Sequence, residues 1–225
     1  MRALTPILVL LLPSCANLSM SRSGFLDDYE QLENAPEHEV TFIPDEVDLW
    51  ISDEGHAFDS VYVEEITYLE PDETKHVPDA EGRARLEHVF GNYLRRHLGE
   101  SFEVVEEPRP SSAIVRAAIT DVNPSSVWIN VVGVILAVPF DMGGISGEME
   151  IRTADGDPVV AMTAVRDGTP FLVFECFQQY GHAYHGMQKW SKVLKEILDA
   201  SARDPEPLAY ESPGPGVAVA PAQPK

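Results

Sequence analysis

A hairpin around Asp155-Gly156 fixes more of the fold than any other local pattern in this chain of 225 residues. A two-residue turn of this type sets the register of the strands that it joins. The register predicts two apolar pairs directed toward the core: Met149 with Met162 and Ile151 with Val160. Three charged residues share the opposite face and are expected to point outward: Glu148, Glu150 and Arg152. The hairpin therefore predicts a sheet with one apolar and one charged face.

Periodicity predicts the elements on either side of this hairpin. A helix is expected from an N-cap at Asp79 to Leu98, where Gly99 ends it. A second helix is expected over residues 187–201, so that His182 and His185 fall in the preceding loop. Further strands are predicted over three ranges: 58–69, 102–107 and 113–122. The order β-α-β-β-β-β-α predicts an α+β fold, with a mostly antiparallel sheet and helices packed on one face.

The first residues have the pattern of an export signal. Arg2 precedes an apolar stretch over residues 4–12 that is too short to span a membrane. The sequence Leu12-Pro13-Ser14-Cys15 then resembles the lipobox of bacterial lipoproteins. The resemblance implies that Cys15 carries the lipid anchor, palmitate included. An ordinary cleaved signal peptide, with a cysteine there by chance, is the alternative.

These signals divide the chain into four predicted parts. They are a lipoprotein signal peptide (1–14), a lipidated tether (15–22), a single periplasmic α+β domain (23–201) and a Pro/Ala-rich tail (202–225) that is expected to be disordered. Because Ala16, and not Asp, follows the cysteine, the lipobox resemblance implies the outer membrane, with the domain facing the periplasm. In an organism with one membrane, the anchor would lie in the cell membrane.

Charge and cysteine content exclude several classes of protein. Sixteen Lys and Arg residues against 37 Asp and Glu give a net charge of −21, which repels phosphate backbones. Nucleic-acid binding is therefore not expected. Two cysteines are too few for a disulfide scaffold, and no apolar run reaches the roughly 20 residues that a membrane-spanning helix needs.

A short motif lies soon after the cysteine: Ser23-Gly24-Phe25-Leu26, followed by Tyr29 and Leu32. With it, the chain resembles a bacterial lipoprotein family known as domain of unknown function 3313. Later residues that fit the family pattern are Glu150, Asp155, Gly156 and Trp190. The resemblance covers most of residues 15–200 and implies an envelope location and this type of fold. It implies no activity. The chain departs from the pattern at residues 127–140 and in its Pro-rich tail.

One cluster combines residue types that bind metals or act as nucleophiles: Cys176, His182 and His185. Their spacing fits no standard zinc motif, and a cysteine on an apolar strand face behaves as a small buried hydrophobe. Neighbouring acidic pairs such as Glu64-Glu65 point to opposite faces of a strand and cannot share acid-base work. The sequence therefore predicts no metal site, no cofactor and no catalytic residue, and the cluster stays a candidate only.

Two features favour an interaction instead. Residues 127–140, VWINVVGVILAVPF, carry no charge and place Trp128 and Val134 either in the core or in an apolar flap. Three lysines line one side of the last predicted helix: Lys189, Lys192 and Lys195. The sequence thus predicts a non-enzymatic binding or envelope-assembly module that contacts another envelope protein. Two alternatives remain open: a small-ligand or lipid-binding domain that uses residues 127–140, and a metal- or cysteine-dependent hydrolase.

Overall fold

The computed structural model describes Leu18 and residues 22–33, 46–70, 77–125, 143–168 and 178–203. The helices and strands in these ranges are α1 (Glu30–Glu33), β1 (Glu46–Ile51), β2 (Ser60–Val63), β3 (Thr67–Tyr68), α2 (Ala80–Leu98), β4 (Glu103–Val105), β5 (Ser112–Asn123), β6 (Gly144–Arg152), β7 (Pro158–Asp167) and α3 (Gly181–Arg203). Within the same ranges, no helix is long and apolar enough to span a bilayer.

The strands of the described ranges form one mixed sheet in the order β1-β7-β6-β5-β2-β4, and β3 also pairs with β5. The pairs β1–β7, β7–β6 and β6–β5 are antiparallel, whereas β2 and β3 run parallel to β5, and β4 runs parallel to β2. The α+β prediction is confirmed, but the sheet is not purely antiparallel. The chain passes from β2 to β5 by way of α2, and a helical crossover of this kind makes the strands that it joins parallel.

The predicted register of the β6–β7 hairpin is confirmed. Met149 pairs with Met162 and Ile151 pairs with Val160, and all four side chains are fully buried. The two-residue turn is wrong, because residues 153–157 connect the strands. The Thr153 amide donates to the Asp157 carbonyl at 2.9 Å, and Gly156 has a φ of +98°, which glycine adopts without strain.

Helix α2 has the predicted bounds. Its first turn is capped by Asp79, whose carboxylate accepts from the Gly82 amide at 2.8 Å, and the Gly99 amide donates to the Arg95 carbonyl at its end. Helix α3 begins at Gly181, earlier than predicted. The histidines expected in a loop, His182 and His185, therefore lie in its first turns.

The sheet has a different cover on each face. The longer helices α2 and α3 lie on the apolar face, where the Phe90 and Trp190 rings meet edge to face at 6.3 Å. Residues 22–33, here called the strap, lie on the other face with the short helix α1. Helices are thus not confined to one face. The strap is also the reason that the outward-pointing prediction for Glu148 and Glu150 is wrong, since they are only 1% and 3% exposed.

Two strand predictions also need correction. Strand β1, which pairs with β7 from Glu46↔Val165 to Ile51↔Val160, was not predicted. The single strand expected over residues 58–69 is divided into β2 and β3, because the chain leaves extended pairing at residues 64–66. Both pieces still pair with β5, so the break does not interrupt the sheet.

The half-buried Asp121 of β5 gives a pH-dependent prediction. Burial raises the pKa of its carboxyl above the ordinary 3.8, so the ionised form is less stable in the folded than in the unfolded chain. The stability that the protonated Asp121 carboxyl contributes is present at low pH, and it is lost as the pH rises through the pKa of the folded state. We expect Asp121→Asn to raise the urea midpoint at pH 7, with a smaller gain at pH 4. Asp155→Asn at the exposed hairpin turn is the control, and an equal gain there would contradict this explanation.

Candidate functional site

Among the described residues, a cluster of buried and half-buried charges lies between the sheet and the strap. Alternation along β5 and β6 places four charged side chains on the face opposite the helices: Arg116, Glu148, Glu150 and Arg152. A carboxylate removed from water is strongly destabilising unless it is paired and hydrogen-bonded. The contacts of these four residues therefore decide whether this face is stable.

Glu148 is paired with the strap. The Ser23 amide donates to its Oε1 at 2.8 Å, and the Tyr29 hydroxyl donates to its Oε2 at 2.6 Å. Burial, together with the Glu148 carboxylate, raises the pKa of the Tyr29 hydroxyl, so the phenol stays protonated and remains a donor. Each oxygen of this buried carboxylate thus accepts from a group that lies more than 100 residues away in the chain.

Glu150 is paired with two arginines. Arg116 Nη1 donates to its Oε2 at 2.8 Å, and Arg152 donates from Nε at 2.6 Å and from Nη2 at 2.9 Å. The Glu150 carboxylate raises the pKa of the Arg152 guanidinium, which also donates to Asp27 of the strap at 2.5 Å. In return, Arg152 lowers the pKa of Asp27. The ion pairs thus continue from the sheet to the strap.

Apolar contacts also hold the strap against the sheet. Leu26 and Leu32 are buried against Ala161 in a small second core, and Trp50 of β1 packs against it. The Arg116 guanidinium carbon lies 4.9 Å from the centre of the Phe25 ring, within the range of a cation–π interaction. Gly24 has a φ of +82°, and its amide donates to the Tyr29 hydroxyl at 2.8 Å. The motif Ser23-Gly24-Phe25-Leu26 with Tyr29 and Leu32 therefore holds the strap on the sheet.

A cleft of about 420 Å³ lies between the first turns of α2 and α3. Pro78, Asp79, Arg85, Pro124 and Tyr180 are among the residues that line it. Burial raises the pKa of the Tyr180 hydroxyl. The Asp79 carboxylate caps α2 and the Arg85 guanidinium pairs with Glu81 at 2.9 Å, so the three charged groups that line the cleft already have partners.

The lysines predicted as an interaction surface have unequal surroundings on α3. Lys192 is exposed, whereas Lys195 donates to Asp199 at 2.6 Å. Lys189 is half-buried and also has a partner. Of the three, Lys192 is the one that is fully open to solvent.

The other candidates are described in part. His182 is buried and His185 half-buried, and both have interactions with other residues. Cys15, Trp128, Val134 and Cys176 lie outside the described residues. In the part of the chain that the structure describes, no three His, Cys, Asp or Glu side chains are close enough together to hold a metal ion.

Sequence reasoning missed the strap as a covering element. The signal was present in two places: a strand face with alternating charges, and an amphipathic motif near the start of the domain. The pairing of Glu148 with Tyr29 joins residues 119 positions apart. No local period predicts such a contact.

The fold and site define an α+β domain with a mixed sheet, the two long helices α2 and α3 on one face and the strap with the short helix α1 on the other. The chain belongs to the family described as Protein of unknown function (DUF3313), whose model matches residues 21–194. The strap lies within this range, and Cys15 lies before it. None of the curated proteins matches the chain.

Two solved structures show distant similarity. The PelC dodecamer from Paraburkholderia phytofirmans is 16% identical, with 65% of this chain and 96% of that chain covered and a TM-score of 0.42. Protein XCC0632 from Xanthomonas campestris is 6% identical, with 67% and 89% covered and a TM-score of 0.42. These similarities are too distant to support an argument about function.

The Tyr29 hydroxyl provides a test of the strap. Tyr29→Phe leaves one oxygen of buried Glu148 without its donor, and we expect the free energy of unfolding to fall by about 1.5–3 kcal/mol. The control is Tyr62→Phe on β2, a half-buried tyrosine whose hydroxyl bonds to none of the described residues; there we expect a loss below about 0.5 kcal/mol. Urea denaturation measures both. Equal losses in the two variants would contradict the assigned contact.

Proposed function

We propose that this protein is a lipid-anchored outer-membrane lipoprotein whose periplasm-facing domain is a non-enzymatic binding or envelope-assembly module. The first support is the sequence of its amino terminus, an apolar stretch over residues 4–12 followed by Leu12-Pro13-Ser14-Cys15. A thiolate at Cys15 is the nucleophile that accepts a lipid group. Several acyl chains on one residue are enough for stable attachment to a bilayer.

The observation that carries the proposal is the short distance in sequence between Cys15 and the folded domain. The strap begins at residue 22 and is held by Glu148 from Ser23 onward. Eight residues span at most about 29 Å even when fully extended. A lipid on Cys15 would therefore keep the domain beside the membrane, with no long linker between them.

Two physical features favour a binding role. Anchoring confines the domain to a thin layer and raises its effective concentration toward other membrane-attached proteins. The buried charges of β6 have partners within the protein: Glu148 accepts from the strap, and Glu150 accepts from Arg116 and Arg152. Buried carboxylates that accept hydrogen bonds on both oxygens stabilise the structure. The partner that this role needs is another protein of the envelope.

The test is Cys15→Ser, with Cys176→Ser as the matched control at the other cysteine. In cells grown with radiolabelled palmitate, we expect the wild type and Cys176→Ser to carry label and to fractionate with the outer membrane. Cys15→Ser should carry none and should accumulate as the unprocessed precursor. Unchanged processing and fractionation of Cys15→Ser would contradict the anchor.

The same strains test the binding role. Crosslinking in intact cells, followed by mass spectrometry, should recover an envelope protein with the wild type and Cys176→Ser, and much less of it with Cys15→Ser. Recovery of no envelope protein above background from the anchored wild type would contradict the module and leave the anchor in place.

A further inference from the structure

The cleft between the first turns of α2 and α3 contains a hydrogen-bond donor that the fold does not use. Tyr180 is only 8% exposed, and it lines the cleft with its hydroxyl beside Gly82. Among the described residues, this hydroxyl has no hydrogen-bond partner. Burial and the Asp79 carboxylate raise its pKa, so the phenol stays protonated and can donate. Buried donors are normally paired, and the open side of this one is the cleft.

Gly82 leaves open the space between this donor and a carboxylate. A Cβ on Gly82 would lie 3.0 Å from the Tyr180 hydroxyl and 3.0 Å from Asp79 Oδ1. The two oxygens are therefore at most about 6 Å apart, and no hydrogen bond joins them. Asp79 Oδ1 accepts from the Gly82 amide, and a carboxylate has further lone pairs that can accept. A ligand hydroxyl group, which both accepts and donates, can bridge Tyr180 and Asp79.

The charges that line the cleft favour a neutral ligand. Glu81 and Arg85 pair with each other at 2.9 Å. Asp79 lies at the amino-terminal end of α2, where the helix dipole is positive. Each charge of the cleft wall thus has an opposite charge or dipole beside it, and the wall selects neither a cation nor an anion. An anion would also meet the field of a chain whose net charge is −21.

Apolar groups border the polar groups of the cleft. Val77 is the one large hydrophobic side chain that is exposed in the described ranges, at 49%, and Pro78 and Pro124 line the same cleft. Exposed Gln179 adds a side-chain amide, which both donates and accepts. The volume of about 420 Å³ falls in the usual range of small-molecule sites, about 300–1,000 Å³. The cleft therefore suits a ligand that combines several hydroxyl groups with small C–H faces.

We propose that this cleft is a binding site for a neutral oligosaccharide, the class of small molecule that has this combination of groups. One sugar hydroxyl bridges the Tyr180 hydroxyl and the Asp79 carboxylate beside Gly82. The C–H face of the same sugar ring packs on Val77 and Pro78. The proposal uses no observation from the amino terminus, so failure of the lipid anchor would leave it intact. It adds a carbohydrate ligand to the protein partner proposed above.

The test is an NMR titration of the full-length, isotope-labelled protein in detergent micelles. The neutral probes are maltotriose and triacetylchitotriose, and the charged controls are the deacetylated chitotriose, a cation, and trigalacturonate, an anion. We expect at least one neutral trisaccharide to shift the Gly82 and Tyr180 amide signals saturably, since the Gly82 amide is bonded to the Asp79 carboxylate. Binding of a charged trisaccharide as tightly as the neutral ones, or no saturable shift with either neutral one, overturns the proposal.

Two variants locate the bound sugar. Tyr180→Phe removes only the hydroxyl, and we expect the dissociation constant to rise about 3–10-fold, the worth of one hydrogen bond. Gly82→Ala places a methyl group between the two bridged oxygens and should weaken binding at least as much. The matched control is Tyr184→Phe, whose ring meets Tyr180 edge to face at 6.4 Å but does not line the cleft, and it should bind like the wild type. Undiminished binding by Tyr180→Phe, or an equal loss in Tyr184→Phe, overturns the assigned site.

Discussion

Two buried carboxylates impose the central constraint on this structure. Glu148 and Glu150 lie on the sheet face opposite α2 and α3, and an unpaired carboxylate there would cost several kcal/mol. The strap donors Ser23 and Tyr29 satisfy the first, and two arginines satisfy the second. The segment over residues 23–32 therefore supplies the donors that the buried carboxylate of Glu148 needs.

This constraint links the fold to the proposed anchoring. The strap is hydrogen-bonded to the buried carboxylate of Glu148, which belongs to β6, and it therefore ties the described amino-terminal residues to the sheet. A loosely attached tether would give the domain no preferred orientation. In the described residues of the amino-terminal segment, Leu18 donates to Asp167 at the end of β7, and Asp27 accepts from Arg152 at the end of β6.

Much of the fold could be predicted because its signals are local. The cap at Asp79 and the helical spacing of Leu86, Phe90 and Leu94 define α2, and a glycine turn with alternating side chains defines the β6–β7 register. Strand β1 could not be predicted, since its six residues acquire their pairing only from distant β7. The early start of α3 was missed because histidines and glycines are common in loops, whereas burial of His182 depends on tertiary packing. The buried charges of the site could not be predicted for a related reason. Charged residues at alternate positions of a strand indicate a solvent-exposed face unless a segment distant in sequence covers them.

The most direct test of the strap is residue-specific hydrogen exchange of the Ser23 and Gly24 amides by NMR. In the structure these amides donate to Glu148 and to the Tyr29 hydroxyl, each at 2.8 Å. If the strap covers the carboxylates as described, both amides exchange orders of magnitude more slowly than in an unstructured peptide of the same sequence. Exchange of both amides at the peptide rate in the folded protein would contradict the central claim.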